Sequence, residues 1–178
     1  SSFASYALTS ESNTIKVDKD LPIELLGPLG CGIQTGAGSV MHAFACEEGS
    51  SIAIYGGGSV GLAAVMGAVV QKCSTIILIE PMESRRQLAL SLGATHVIDP
   101  TLSDTRASIR EICTMGVNYG FDSTGISSVI EAAIATLAPR GELGLVGTSS
   151  QSSPLPTFDP STLLTGQKIR GICEGEVD

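Results

Sequence analysis

From residue 51 onward, short apolar runs alternate with mixed stretches at a regular spacing. The runs are SIAIYG (51–56), TIILIE (75–80), HVID (96–99), YGFDST (119–124), LGLVG (143–147) and IRGIC (169–173). Several are continuously apolar, the pattern of strands covered on both faces. The stretches between them read as helices. Ile130, Ala133, Ile134 and Leu137 form an i, i+3, i+4, i+7 stripe, and that helix is expected to stop at PRG (139–141). SRRQLALSLG ends on Gly93, a residue suited to the left-handed position just past a helix. Six strands with intervening helices predict a doubly wound α/β domain. Its parallel sheet has the order 3-2-1-4-5-6, with helices on both faces and right-handed crossovers.

The pattern is weaker elsewhere. Residues 1–26 are mixed, with alternation in NTIKV and a possible helix start at DLPIELL. From about residue 28 to 48, the glycine-rich half GPLGCGIQTGAG reads as a loop or a kinked helix start, and SVMHAFA reads as helix. SSQSSPLPTFDPSTLLTG (149–166) breaks the rhythm. A short extended segment and then a brief helix near DPST are expected there.

Composition narrows the function classes. A chain of 178 residues makes one domain, or one with a short appendage. With 43% hydrophobic and 16% charged residues it is globular. A net charge of −8 argues against nucleic acid or anionic lipid as a partner. No apolar run reaches the roughly 18 residues that span a bilayer, so no membrane partner is expected. SSFASYALTS has no basic or apolar region of a signal peptide. Five widely spread cysteines without a CxxC pair read as reduced thiols of a cytoplasmic protein. The missing initiator Met and the abrupt end at EGEVD read as a piece of something longer.

One run carries candidate chemistry. Gly56, Gly58 and Gly61 match G-x-G-x-x-G directly after a strand and open a helix. In such a loop the first glycine permits a tight turn and the second lets a pyrophosphate approach the backbone. The third allows close helix–strand packing. Gly57 stands at an x position, with no evident need for glycine. Glu80 ends the second strand nineteen residues after Gly61. There its carboxylate can accept from both ribose hydroxyls and repel a 2′-phosphate, which favours NAD over NADP. Of Arg85 and Arg86, one is expected to border the adenine and the other to be solvated. The far half of a dinucleotide should cross the ends of strands four and five. Ser123 and Thr124 in DSTG, and Val146, Gly147 and Thr148 in LVGTSS, stand there.

These residues leave rivals open. An S-adenosylmethionine-dependent methyltransferase also pairs a glycine loop with an acid, but usually carries an acid ahead of the glycines, where Ala53-Ile54-Tyr55 stand here. A short-chain dehydrogenase needs Tyr with Lys four residues on, whereas Tyr6, Tyr55 and Tyr119 are followed at that distance by Ser10, Ser59 and Ser123. A non-catalytic NAD-binding module remains possible.

Taken in order, GCGIQTGAGSV, IYGGGSVGLAAVMGA, IEPMESRRQLALSLGATHVIDP and GFDSTG resemble the zinc-dependent medium-chain alcohol dehydrogenases, the aryl (benzyl) alcohol enzymes above all. The resemblance covers nearly the whole chain. It implies a Rossmann NAD-binding domain at 29–178, preceded at 1–28 by a remnant of the GroES-like catalytic domain and a connecting segment. It implies that Cys31 is a ligand of the catalytic zinc and that Thr35 lies beside the nicotinamide. Ser59 and Val60 fall at the pyrophosphate and nicotinamide side of the glycine loop, Arg85 flanks the ribose, and Thr124, Val146 and Thr148 contact the far half of NAD. Zinc-free quinone reductases share this fold, and Cys31 argues against them. The family's zinc acts as a Lewis acid on a small primary alcohol, aromatic alcohols among the alternatives, so that it loses its proton, passes hydride to NAD and leaves as aldehyde. The other zinc ligands are expected outside this chain, so the isolated chain should bind NAD weakly and catalyse nothing. His42 and His96, the second expected to begin a buried edge strand, read as structural. Members pair along the sixth-strand edge, so a homodimer or higher homo-oligomer is expected.

Overall fold

A computed structural model describes residues 5–148 and 156–176. Its six strands are β1 (Ser51–Tyr55), β2 (Thr75–Ile79), β3 (His96–Ile98), β4 (Val117–Asp122), β5 (Leu137–Leu145) and β6 (Lys168–Gly171). They form one sheet of order β3-β2-β1-β4-β5-β6, every neighbouring pair parallel. This is the expected doubly wound α/β fold, and five strands fall within two residues of their apolar runs.

The continuous runs bury both faces of the sheet. Ile52, Ile54, Ile76 and Leu78 point to one face. There they meet Val40, in the turn that continues helix α1 (Gln34–Gly38), and helices α2 (Ser59–Val70) and α3 (Glu83–Ser91) through Ala64, Val65, Ala68 and Ala89. Ala53, Tyr55, Ile77 and Ile79 point to the other face, covered by α4 (Thr105–Ile112) and α5 (Ser127–Thr136) through Ile109, Ile130, Ala133 and Ile134. Each fully buried isoleucine or leucine contributes about 1.5–3 kcal/mol. Gly93 has φ +108° just past α3, as expected of a helix terminator. The short helix Pro160–Thr165 starts at the Asp159 cap, also as expected, whereas the extended segment before it lies largely outside the described residues.

Two expectations need correction, and one open alternative is decided. Leu137 is not the last turn of a helix, because α5 ends at Thr136 and Leu137 opens β5. Pro139 disfavours helical backbone at Ala138, so the chain passes straight into a strand. The strand pairs Val117 with Leu137, shifts register, and pairs Tyr119 with Glu142. The second correction concerns His96. It begins the edge strand β3 but is itself exposed, with Thr95 Oγ1 2.8 Å from its Nδ1.

Of the two readings of GCGIQTGAG, a loop or a kinked helix start, the helical one holds: π-helical turns Leu29–Ile33 and Ser39–Ala43 flank α1. The glycines serve a helix crossing. A Cβ on Gly36 would stand 2.0 Å from the Val60 carbonyl and 2.7 Å from Ala63 Cβ, and one on Gly67 would stand 3.1 Å from Ala37 Cα. Gly36→Ala therefore has no room and is expected to cost about 1–3 kcal/mol. A urea midpoint equal to that of the wild type would refute this close packing.

Residues 5–28 add nothing to the core. They form short 3-10 turns at Glu11–Asn13 and Ile23–Leu25, and none of their described side chains is buried. Tyr6, Leu8, Ile15 and Ile23 are exposed.

Candidate functional site

The carboxyl ends of the six parallel strands lie on one side, and the chain leaves β1 there through three glycines. Gly56 has φ +96°, a left-handed conformation that glycine adopts without strain. Its N–H donates to the Ile79 carbonyl at 3.0 Å. A Cβ there would stand 2.7 Å from Ser123 Oγ. Gly57 has a need for glycine that its position in the motif conceals. Its N–H donates to Glu80 Oε2 at 2.7 Å, and a Cβ would lie 2.9 Å from Glu80 Cγ and 3.2 Å from Leu78 Cδ2. Gly61 faces its own loop, since a Cβ would meet the Gly56 carbonyl oxygen at 1.8 Å. The helix–strand packing expected of this third glycine is secondary, with Ile54 Cγ2 at 3.6 Å.

Gly58 is different. It caps α2 with φ −74° and ψ −172°, extended backbone open to any residue. Its missing Cβ would touch nothing within 4 Å. The first N–H groups of α2 have no partner within the helix and carry the positive end of its dipole. They open on a cleft of about 750 Å³, within the range of small-molecule sites.

Glu80 forms the acidic corner of this cleft. The residue is 3% exposed, and its Oε1 accepts from the Met82 N–H at 2.9 Å. Each oxygen thus takes one backbone N–H and keeps a lone pair for a further donor. Arg85 Nη1 stands 3.7 Å from Glu80 Oε2 with its side chain 46% exposed, and it lines the cleft. Arg86 is not solvated. Its guanidinium donates to the Glu80 and Pro81 carbonyls, both at 2.7 Å, and pairs with Asp99.

The opposite wall is organised by Asp122, which is fully buried. Its Oδ1 accepts from the Thr124 hydroxyl at 2.7 Å and N–H at 3.2 Å, and its Oδ2 accepts from the Gly125 N–H at 2.9 Å. Its carbonyl accepts from the N–H groups of Val146 and Gly147, tying the ends of β4 and β5 together. Ser123 donates its hydroxyl to the Tyr55 carbonyl at 2.9 Å. The hydroxyls of Ser123 and Thr124 are thus occupied within the turn. Beneath the loop, burial keeps the Tyr55 phenol well above its ordinary range, and its hydroxyl lies 2.6 Å from Thr136 Oγ1.

The cleft gathers Gly56, Gly57, Gly58, Ser59, Val60, Glu80, Arg85, Ser123 and Thr124. Gly61 is buried behind it. Val146, Gly147 and Thr148 continue the row of strand ends outside its wall, as Cys31 and Thr35 do on the helical run that crosses α2. A Cβ on Gly32 would lie 3.1 Å from Ser59 Oγ, so that run abuts the start of α2. Met82, Pro100, Thr101, Ile126 and Val129 also line the cleft. Pro100 and Thr101 directly follow β3 and were legible from the rule that ligands meet the carboxyl ends of strands.

The residues fit a dinucleotide: an unfilled cradle at Gly58, helix N–H groups for phosphate, and a carboxylate with spare acceptor capacity. They do not complete a zinc site. Cys31 is an exposed, free thiol, catalytic zinc takes three protein ligands, and no group of three or more candidate ligands occurs among the described residues.

Comparison with known proteins gives a consistent picture. Residues 59–178 match the family model described as zinc-binding dehydrogenase. Geraniol dehydrogenase of Castellaniella defragrans is 44% identical over 179 residues, covering 100% of this chain and 48% of that protein. The crystal structure of benzyl alcohol dehydrogenase from Acinetobacter calcoaceticus superposes with a TM-score of 0.93 at 46% identity, over 98% of this chain and 48% of that one. An alcohol dehydrogenase zinc-binding domain protein from Burkholderia ambifaria gives 0.86 at 48% identity, over 91% and 44%. The chain thus spans about half the length of these relatives.

Proposed function

The chain belongs to the zinc-binding dehydrogenases, and from that premise we propose that it is the NAD-binding part of an alcohol dehydrogenase. The observation that carries this reading is Gly58. Its backbone suits any residue, yet a side chain there would project into the open cleft before α2. Gly58 also lines the cleft at the start of α2, where a ligand would come close to the backbone.

Bound NAD supplies a hydride acceptor at nicotinamide C4. The chain's own residues bind and orient it. The N–H groups of Ser59 and Val60 take the pyrophosphate, and Glu80, held by Gly57 and Met82, takes the ribose hydroxyls. Arg85 flanks the ribose, while the turns carrying Thr124, Val146, Gly147 and Thr148 underlie the far half. Thr35 stands beside the nicotinamide, and Cys31 provides one thiolate of the larger protein's zinc site. Geraniol and benzyl alcohol, named for two relatives, support a small primary alcohol as substrate and an aldehyde as product.

Residues 1–28 are the end of a catalytic domain and its connection, and 29–178 the NAD-binding domain. The exposed Tyr6, Leu8, Ile15 and Ile23, which add nothing to this core, support that division. The open edge at β6 is where a second copy would pair. Five free thiols support a reducing, cytoplasmic setting, and no helix among the described residues is long and apolar enough to cross a membrane.

Calorimetric titration with NAD, NADP and S-adenosylmethionine tests the reading. NAD is expected to bind, NADP more weakly, and S-adenosylmethionine not at all. Heat from S-adenosylmethionine with none from NAD would replace the dehydrogenase by a methyltransferase.

A further inference from the structure

Two arginines follow Glu80, and they point different ways. Arg85 faces the cleft. Arg86 turns beneath the strand ends, its side chain 13% exposed, and bridges two segments. Its Nη1 donates to the carbonyls of Glu80 and Pro81, each at 2.7 Å. Its Nη2 stands 2.9 Å from Asp99 Oδ2. Asp99 is itself fixed, because its Oδ1 accepts from the Thr101 hydroxyl at 2.6 Å and N–H at 2.9 Å. Those bonds, with the Arg86 charge, hold the Asp99 carboxyl below its ordinary range.

The location gives this bridge its consequence. The Glu80 N–H donates to the Ile98 carbonyl at 3.1 Å, at the end of the β2–β3 ladder. Beyond it the segments 80–82 and 99–101 continue, joined by Arg86. Pro81 and Met82 on one side, and Pro100 and Thr101 on the other, are walls of the cleft. The 80–82 turn also carries the Met82 N–H that holds Glu80 Oε1. Whatever fixes this turn fixes the carboxylate.

We propose that Arg86 is a positioning residue for cofactor choice. By clamping the end of β2 to the end of β3, it holds the Glu80 carboxylate where it accepts a free ribose 2′-hydroxyl and rejects a 2′-phosphate. Arg86 does not touch the ligand; it acts through Glu80. This rests on the reading of the cleft as an NAD site. The planar guanidinium reaches two carbonyls and a carboxylate together, whereas a lysine ammonium can replace the charge but not the fork.

ADP-ribose and 2′-phospho-ADP-ribose, titrated calorimetrically into the full chain, are the probes. If wild type binds neither, the NAD reading falls before this one is reached. Given wild-type preference for ADP-ribose, Arg86→Met is expected to weaken it about tenfold, the effect of loosening one hydrogen bond to a charged group. The phosphorylated probe should be unaffected or bind better, so selectivity drops. Arg86→Lys should recover part of the preference. In a Glu80→Ala background, Arg86→Met should leave selectivity unchanged. Asp99→Asn, which keeps both carbonyl bonds, should shift selectivity in the same direction by less and carries the test if Arg86→Met does not fold. Equal loss of both probes, unchanged selectivity in the folded variants, or a selectivity shift that persists without Glu80 would each overturn the proposal.

Discussion

Glu80→Ala is expected to weaken NAD binding by about a hundredfold or more and to remove the preference over NADP. Hydrogen bonds to a charged group are worth about 1.5–3 kcal/mol each. The carboxylate has acceptor capacity for both ribose hydroxyls after taking its two backbone N–H groups. Removing it also removes the charge that repels a 2′-phosphate. Arg85, freed from a partner 3.7 Å away, then becomes a phosphate ligand. The substitution has a cost in stability, because the buried Gly57 N–H loses its acceptor, a loss of about 1–3 kcal/mol. Calorimetry with both cofactors and a urea melt separate the effects. A variant that loses NAD affinity without gaining any for NADP would place the ribose elsewhere.

The second large effect divides one motif in two. Gly58→Val is expected to keep the fold, at a cost of up to about 1 kcal/mol for an apolar cap residue, and to lose about a hundredfold or more in NAD affinity. Its backbone is extended and its Cβ has free space, so the valine obstructs only what enters the cleft. Gly61→Val is expected to fail the other way, by about 4 kcal/mol or more of stability. Its Cβ would stand 1.8 Å from the Gly56 carbonyl oxygen, a backbone atom that no side-chain rotation relieves. Urea unfolding of both variants, with NAD titration of Gly58→Val, checks the pair. A Gly58→Val protein with wild-type affinity would sink the claim that phosphate approaches there.

Much of the fold was legible because parallel strands buried on both faces must be apolar at nearly every position, as in TIILI. The glycine loop and Glu80 were legible for a related reason: the chemistry fixes their spacing along one βα unit. The misses have a common physical cause, since each depends on partners distant in the chain. Leu137 fits the α5 stripe, and only its pairing opposite Val117 makes it a strand residue. The glycines of GCGIQTGAG fit a loop as well as a kinked helix until α2 is laid across them. Gly57 is idle in the motif and needed in the fold, because Glu80 and Leu78 occupy the space its side chain would take. Nor does the sequence distinguish Arg85 from Arg86, adjacent residues that the start of α3 turns in different directions.

The crossing of α1 and α2 has a mechanical consequence. Helices separated by long side chains can slide a little, because rotamers absorb the shift. Here the contact is nearly backbone on backbone at Gly36 and Gly67, and Gly175 presses the same run from the other side, its missing Cβ 2.7 Å from the Gln34 carbonyl. Thr35 and the glycine turn are therefore fixed to one rigid block. Any force that reaches this chain through residues 5–28 would carry them together and bend the chain ahead of Leu29, where the packed helices begin.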